Sequence, residues 1–193
     1  MESSAIWKIV FFISILIFSG KSNAITCKSN PSLIKSGDLI YRYQGSFISN
    51  LVLHYQQDSS YSHVGIAVKE GNQIRVFHSV LEVDKNIDGV TSSSYCDYVN
   101  DAVRIEVKRL KNDSLEVRNR IVSSVNLIGA RKFNRTFNLN FNDAVYCTQY
   151  IWLVYKDALG VDPFQVNRQN QKVITVKNLL NSNYFYTVFK QEN

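Results

Sequence analysis

The sequence predicts an α+β domain in which an antiparallel sheet is packed against helices. Two observations carry this. Four short segments read as strands, and three longer segments read as helices. A third observation keeps it to a single domain. The 193 residues contain no internal repeat, no low-complexity tract and no Pro- or Gly-rich linker.

The elements follow in chain order. Lys8, the apolar run Ile9 to Phe18 and the small residues Ser22-Asn23-Ala24 form a charged flank, a short greasy core and a cleavage site. That is the pattern of a secretory signal peptide over residues 1–24, and a spanning helix would need roughly 20 apolar residues, about twice this run. A lipid anchor on Cys27 is disfavoured by Ile25 and Thr26 before it. The mature domain is therefore expected over 25–193. Ser36-Gly37-Asp38 is a turn into a strand at 39–43. Phe47, Leu51, Val52 and Tyr55 predict a helix over 46–57. Residues 62–68 and 73–80 read as a hairpin around Glu70-Gly71-Asn72. A further strand is expected over 102–110. Asp113 or Ser114 caps a helix carrying Leu115, Val117, Ile121, Val122, Val125 and Ile128. After the irregular, Asn- and Phe-rich stretch 131–142, a helix starts beyond Asn142-Asp143 and ends at Gly160. The tail is expected to add a short strand near Val173 to Val176.

Composition excludes several functions. Hydrophobic residues are 45% and charged residues 20% of the chain, so global disorder is excluded. Without residues 1–24, the 22 basic residues lose Lys8 and Lys21 and the 16 acidic ones lose Glu2. The remaining excess of five positive charges suits an anionic cell surface. No Lys/Arg block interleaved with aromatics is present, so no nucleic acid partner is expected. Cys27, Cys96 and Cys147 are an odd number for an oxidising compartment, which leaves one thiol over. Sequence does not fix the pairing. Cys27–Cys96 is the expected bridge, because Cys147 has a better use.

That use is nucleophilic chemistry. In the first hairpin strand His63, Gly65 and Ala67 share a face, with small residues leaving room beside the imidazole. If the turn holds two or four residues, His78 faces either Gly65 or His63, and both registers put the two imidazoles on one face. A three-residue turn would separate them. Cys147, in the first turn of its helix, gains from free N–H groups and the helix dipole, which favour a thiolate and an oxyanion. His63 would be the base and His78 would orient it, a Cys147/His63/His78 triad. A zinc site on the same three residues is the rival, although no close-spaced metal signature accompanies it. His54 has no evident partner and reads as a surface residue.

Four stretches also resemble a known family. They are Gly37-Asp38-Leu39-Ile40-Tyr41-Arg42, Tyr61-Ser62-His63-Val64-Gly65-Ile66, Val76-Phe77-His78-Ser79, and Phe137 to Asn142 leading into Tyr146-Cys147-Thr148-Gln149. The chain resembles the YiiX/YebB-like branch of the NlpC-type cysteine hydrolases, which have a circularly permuted papain-like fold. The resemblance implies Cys147 as nucleophile, His63 as base and His78 as the third polar residue, with no cofactor and no metal. It implies hydrolysis of cell-wall (peptidoglycan) peptide amides in the periplasm or outside the cell. A lipid acyl substrate is the first alternative. A secreted, non-enzymatic binding protein on the same fold is the second. Two departures stand out. Gln149 occupies a position where many relatives carry Glu, and Asn134, Asn138, Asn140 and Asn142 replace an acidic stretch. No stable membrane span is expected after signal cleavage, and nothing in the sequence sets the oligomeric state.

Overall fold

The computed structural model describes residues 31–45, 60–141, 143–169 and 171–192. The signal segment, Cys27 and the helix expected over 46–57, with Phe47, Leu51 and His54, lie outside the described residues. The main sheet has six antiparallel strands in the order β4-β3-β2-β1-β5-β8. They are β1 Leu39–Tyr43, β2 His63–Glu70, β3 Gln73–Glu82, β4 Ile87–Ser94, β5 Arg104–Leu110 and β8 Phe185–Glu192. A second, two-stranded parallel ribbon pairs β6 Lys132–Phe133 with β7 Ala144–Val145. The helices are α1 Tyr95–Val99, α2 Leu115–Ile128, α3 Cys147–Leu159 and α4 Val176–Leu180. None of the described helices is long and apolar enough to cross a membrane.

Strand alternation sorts the core into two layers. Leu39, Tyr41, Val64, Ile66 and Val68 face α2 and α3, where Val117, Ile121, Val125, Tyr150, Ile151 and Val154 cover them. Ile40, Ala67, Val76, Ile105 and Val107 point the other way, onto Tyr95, Tyr98 and Val99 of α1. A central strand buried on both faces has little room for polar residues, and β1 is buried along its length up to Arg42.

The hairpin turn is the two-residue Gly71-Asn72, because Glu70 pairs with Gln73 and Ile66 with Phe77. Continued past Ile66, this register sets Gly65 against His78. A Cβ on Gly65 would lie 2.6 Å from Val76 Cγ1 and 3.3 Å from His78 Cβ, so the missing side chain is what lets β2 and β3 close here.

Local signals explain most boundaries. Ser114 caps α2 by accepting from the Val117 N–H at 3.2 Å, and Asp113 instead accepts from Arg118 and Lys35. Gly160 ends α3 in the left-handed region, with φ of 67°. The tail differs from expectation. The stretch 173–175 forms no strand, because Thr175 caps α4 in a reciprocal capping box with Asn178. The tail strand is β8, which pairs with β5 and brings Phe185 into the core. Strand β4 was not expected, since Thr91-Ser92-Ser93-Ser94 offers little apolar alternation to read.

One buried ion pair ties the first turn to the sheet. The Asp38 carboxylate accepts from Arg109 Nε and Nη2, both at 2.7 Å, and from the Lys35 N–H at 2.8 Å. Burial outweighs Arg109 and holds the Asp38 carboxyl above its usual range. Such a pair adds little net stability, but removing one partner strands the other. Asp38→Ala is therefore expected to cost about 3–5 kcal/mol in chemical denaturation, while a double Asp38→Asn, Arg109→Met variant recovers much of that loss.

Candidate active site

His63 opens β2 and sits across from Arg42 of β1. On the neighbouring strand, His78 of β3 pairs with Thr91 of β4. Their rings meet edge to face with centroids 5.1 Å apart, and His63 Nε2 lies 3.0 Å from His78 Nδ1. On its far side His78 Nε2 lies 3.3 Å from Ser93 Oγ. Tyr98 of α1 covers the pair, with its ring centroid 5.1 Å from His78 and 6.0 Å from His63. In the tautomer with the proton on His63 Nε2, that N–H donates to His78 Nδ1, and His78 carries its own proton on Nε2 toward Ser93. This arrangement leaves the His63 Nδ1 lone pair open.

Cys147 is the first residue of α3 and a free, partly buried thiol. The helix starts later than expected. Asp143 precedes β7, and the N-cap is Tyr146, which makes no side-chain capping bond. The first-turn N–H groups therefore stay available, and those of Cys147 and Thr148 point at the sulfur. So does the N–H of Val64, the residue after His63. Ser79 of β3 donates its hydroxyl to the Val145 C=O at 2.6 Å. The lead-in to α3 thus lies across β2 and β3, just beyond their last pair. The hydrogen bonds of the thiol come from main-chain N–H groups, and the bonded side-chain pair of the site is His63–His78.

Electrostatics favour a neutral resting state. Burial pushes the Cys147 thiol up to about 11, against the pull of the three N–H groups and the Arg42 charge. Burial, the Arg42 charge and His78 hold His63 well below 6.5. Burial and Arg42 bring His78 down to about 3. At neutral pH the site holds a thiol and two imidazoles, so thiolate forms as the proton moves.

The amides after the nucleophile have a structural task. Gln149 is fully buried; its carbonyl accepts from Asn134 Nδ2 at 3.0 Å and its NH2 donates to the Phe141 C=O at 2.9 Å. Asn134 also donates to the Asn138 C=O and accepts from the Thr136 N–H and hydroxyl. Asn138 accepts from the Asn140 N–H at 2.9 Å. The Asn-rich stretch is thus a loop folded by its own amides and clamped to α3 through Gln149. It presents Phe137 and Phe141, 45% and 54% exposed. The Phe137 ring lies 5.2 Å from that of Tyr146, the residue before Cys147.

Sequence reasoning singled out His63, His78 and Cys147 but missed Arg42, Tyr98 and Ser93. Only Arg42 left a readable trace, as a charge inside an otherwise apolar and aromatic strand. The rival zinc site is not formed: among the described residues no group of three His, Cys, Asp or Glu side chains is arranged to hold a metal ion. The expected Cys27–Cys96 bridge falls outside the described residues through Cys27; Cys96 itself is exposed on α1.

Two outcomes follow from these contacts. The unfolded chain binds protons near 6.5 and the folded rings do not, so their contribution to stability is whole above 6.5 and lost as pH falls toward 3. Stability measured against pH should lose about one proton of slope in that window when His78 is replaced by Asn. Gln149→Glu sets a carboxylate against the Phe141 carbonyl and is expected to cost about 1–3 kcal/mol of stability, read by thermal unfolding.

The comparisons with known proteins bear on the family and the fold. The family model described as permuted papain-like amidase enzyme, YaeF/YiiX, C92 family, matches residues 33–192. Among solved structures, the crystal structure of the metalloprotein YiiX from Escherichia coli O157:H7 superposes with a TM-score of 0.68. It is 18% identical and covers 82% of this chain and 98% of its own, a likeness that shows the fold alone. Among curated proteins none matches. With nearly the whole described chain inside the family model, its strands and helices in the expected mixture and its cysteine at a helix start, this protein belongs to the C92 family of permuted papain-like amidases and is a cysteine hydrolase.

Proposed function

We propose that this enzyme is an exported amidase that cleaves peptide amides of the cell wall with Cys147, His63 and His78. The observation that carries this reading is the 3.0 Å contact between His63 Nε2 and His78 Nδ1, beside a free thiol at an uncapped helix start. It leaves His63 Nδ1 as the proton acceptor. His63 takes the Cys147 proton as sulfur attacks the acyl carbon, and the imidazolium passes its charge toward His78 through Nε2–H. The carbonyl oxygen gains the negative charge, and the main-chain N–H at the start of α3 is the donor in place to receive it. Collapse breaks the C–N bond, and the amine leaves with the proton from His63. Water, deprotonated by the same nitrogen, then releases the acid and restores the thiol.

No step is routed through a metal. The solved relative is titled a metalloprotein, but in this chain the two imidazoles are turned on each other and the donor set does not fit an ion. Export rests on the leader over 1–24 and on the basic mature chain. The Cys27–Cys96 bridge belongs to the same proposal.

A second reading keeps the triad and changes the substrate to a lipid acyl group. The exposed Phe137 and Phe141, on the loop clamped beside Cys147, favour it. Purified wall peptides and phospholipids, offered side by side, decide between the two: release of an amine from the first supports the amidase, and release of fatty acid alone replaces it.

Variants test the roles. Cys147→Ser should abolish turnover with the fold intact. His63→Ala should lower kcat/KM by about 10²–10⁴-fold, the scale of a lost general base. His78→Ala should cost less, and His78→Asn less still, since its carbonyl can accept the His63 Nε2–H. The reverse order of the two histidines would overturn the assignment.

A further inference from the structure

Arg42 is a cation in an unusual place. It is 8% exposed on β1, directly across from His63. Its Nη1 donates to the Tyr98 C=O at 2.6 Å, and its guanidinium carbon lies 4.3 Å above the Tyr98 ring. Its Nε is buried without any hydrogen-bond partner. Among the described residues no carboxylate forms an ion pair with it, although Arg109, Arg118, Arg120 and Arg135 each have one. Its charge acts on Cys147, His63 and His78 alike.

Folding does not favour this. A buried guanidinium without a counter-ion is costly, and its field opposes protonation of the two imidazoles around it. A carbonyl and an aromatic face hold the group in position and leave its charge uncompensated. Positive potential that reaches the thiol and an unsatisfied buried donor across from His63 suit an anion that arrives with the substrate. Cations and neutral groups would gain nothing there.

We propose that Arg42 receives a carboxylate placed beside the carbon that Cys147 attacks, so that the enzyme selects acidic acyl groups. The proposal rests on Cys147 being the nucleophile. It narrows the substrate class to amides whose acyl part carries a carboxylate close to the scissile bond. Arg42 is then a specificity residue, fixed by Tyr98 and separate from the proton transfer between Cys147 and His63.

The test compares two alkylating probes on the full chain, iodoacetate and iodoacetamide, at one pH and ionic strength, with the labelled cysteine located by peptide mass. Both probes consume the same thiolate, so the ratio of their rates cancels any change in thiol acidity and reads only preference for a negative charge. The ratio at Cys147 should exceed that of free cysteine by about tenfold, a modest effect for one partly screened charge near contact. Arg42→Gln should return it to the free-cysteine value, and Arg42→Lys should keep most of it. If the Arg42→Gln chain fails to fold, high salt on the natural chain takes its place and should lower the ratio toward that of free cysteine. A ratio equal to that of free cysteine in the natural chain, or one untouched by Arg42→Gln in a folded protein, overturns the proposal. Failure of both probes to label Cys147 at all instead removes the nucleophile, and the proposal falls with it.

Discussion

A single contact between two imidazoles organises the rest of the site. His63 and His78 come from neighbouring strands, and side chains on a strand change face with every residue. The contact therefore depends on a hairpin turn of two residues, Gly71-Asn72, and on the register that follows from it. It depends equally on Gly65, whose absent side chain leaves room for Val76 and for the Cβ of His78 on the neighbouring strand. Tyr98 closes the pocket from α1, and Ser93 ends the line of ring nitrogens. These groups surround the two rings, whose contact runs from His63 Nε2 to His78 Nδ1 at 3.0 Å.

The thiol reaches this pair by a different kind of constraint. Helix α3 must bury an apolar face against the sheet, which places Tyr150, Ile151 and Val154 over β1 and β2. Its start is then pinned by main-chain bonds: Val145 to Ser79, and the sulfur to the N–H of Val64. An uncapped helix start would normally weaken the element. Here Thr148 compensates by donating its hydroxyl to the Ile174 C=O at 2.6 Å, and Tyr146 accepts from the Ile174 N–H at 2.8 Å. The chain that follows α3 thus holds down the start that its own side chains leave open.

Charge is arranged with the same economy. Burial keeps thiol and imidazoles neutral at rest, and among the described residues the charge that acts on all three is that of Arg42. The buried carboxylate of Asp38 is committed to its pair with Arg109. The loop ahead of the nucleophile and the residue two places after it supply amides, Asn134, Asn138, Asn140 and Gln149. Those amides bond to one another and to main-chain carbonyls, which lets Gln149 be buried without a counter-ion.

Local chemistry was enough to read strands at 39–43, 62–68 and 73–80, which the structure has at 39–43, 63–70 and 73–82, a cap at Asp113 or Ser114, and the stop at Gly160. Alternation, capping side chains and a C-terminal glycine act within a few residues of where they appear. The same locality made His63, His78 and Cys147 visible, since each stands in a small, recognisable pattern. The choice between two hairpin registers lay beyond it, as did the start of α3 at Cys147, the strand at 185–192 and the capping box that turned 173–175 into a helix start. Arg42 and Tyr98 come from segments far apart in the chain, and neither has a meaning until β1 and α1 fold over the histidines. Contacts of that kind are set by packing, where the cost of burying a polar group selects its partner, and no short window of sequence contains both members.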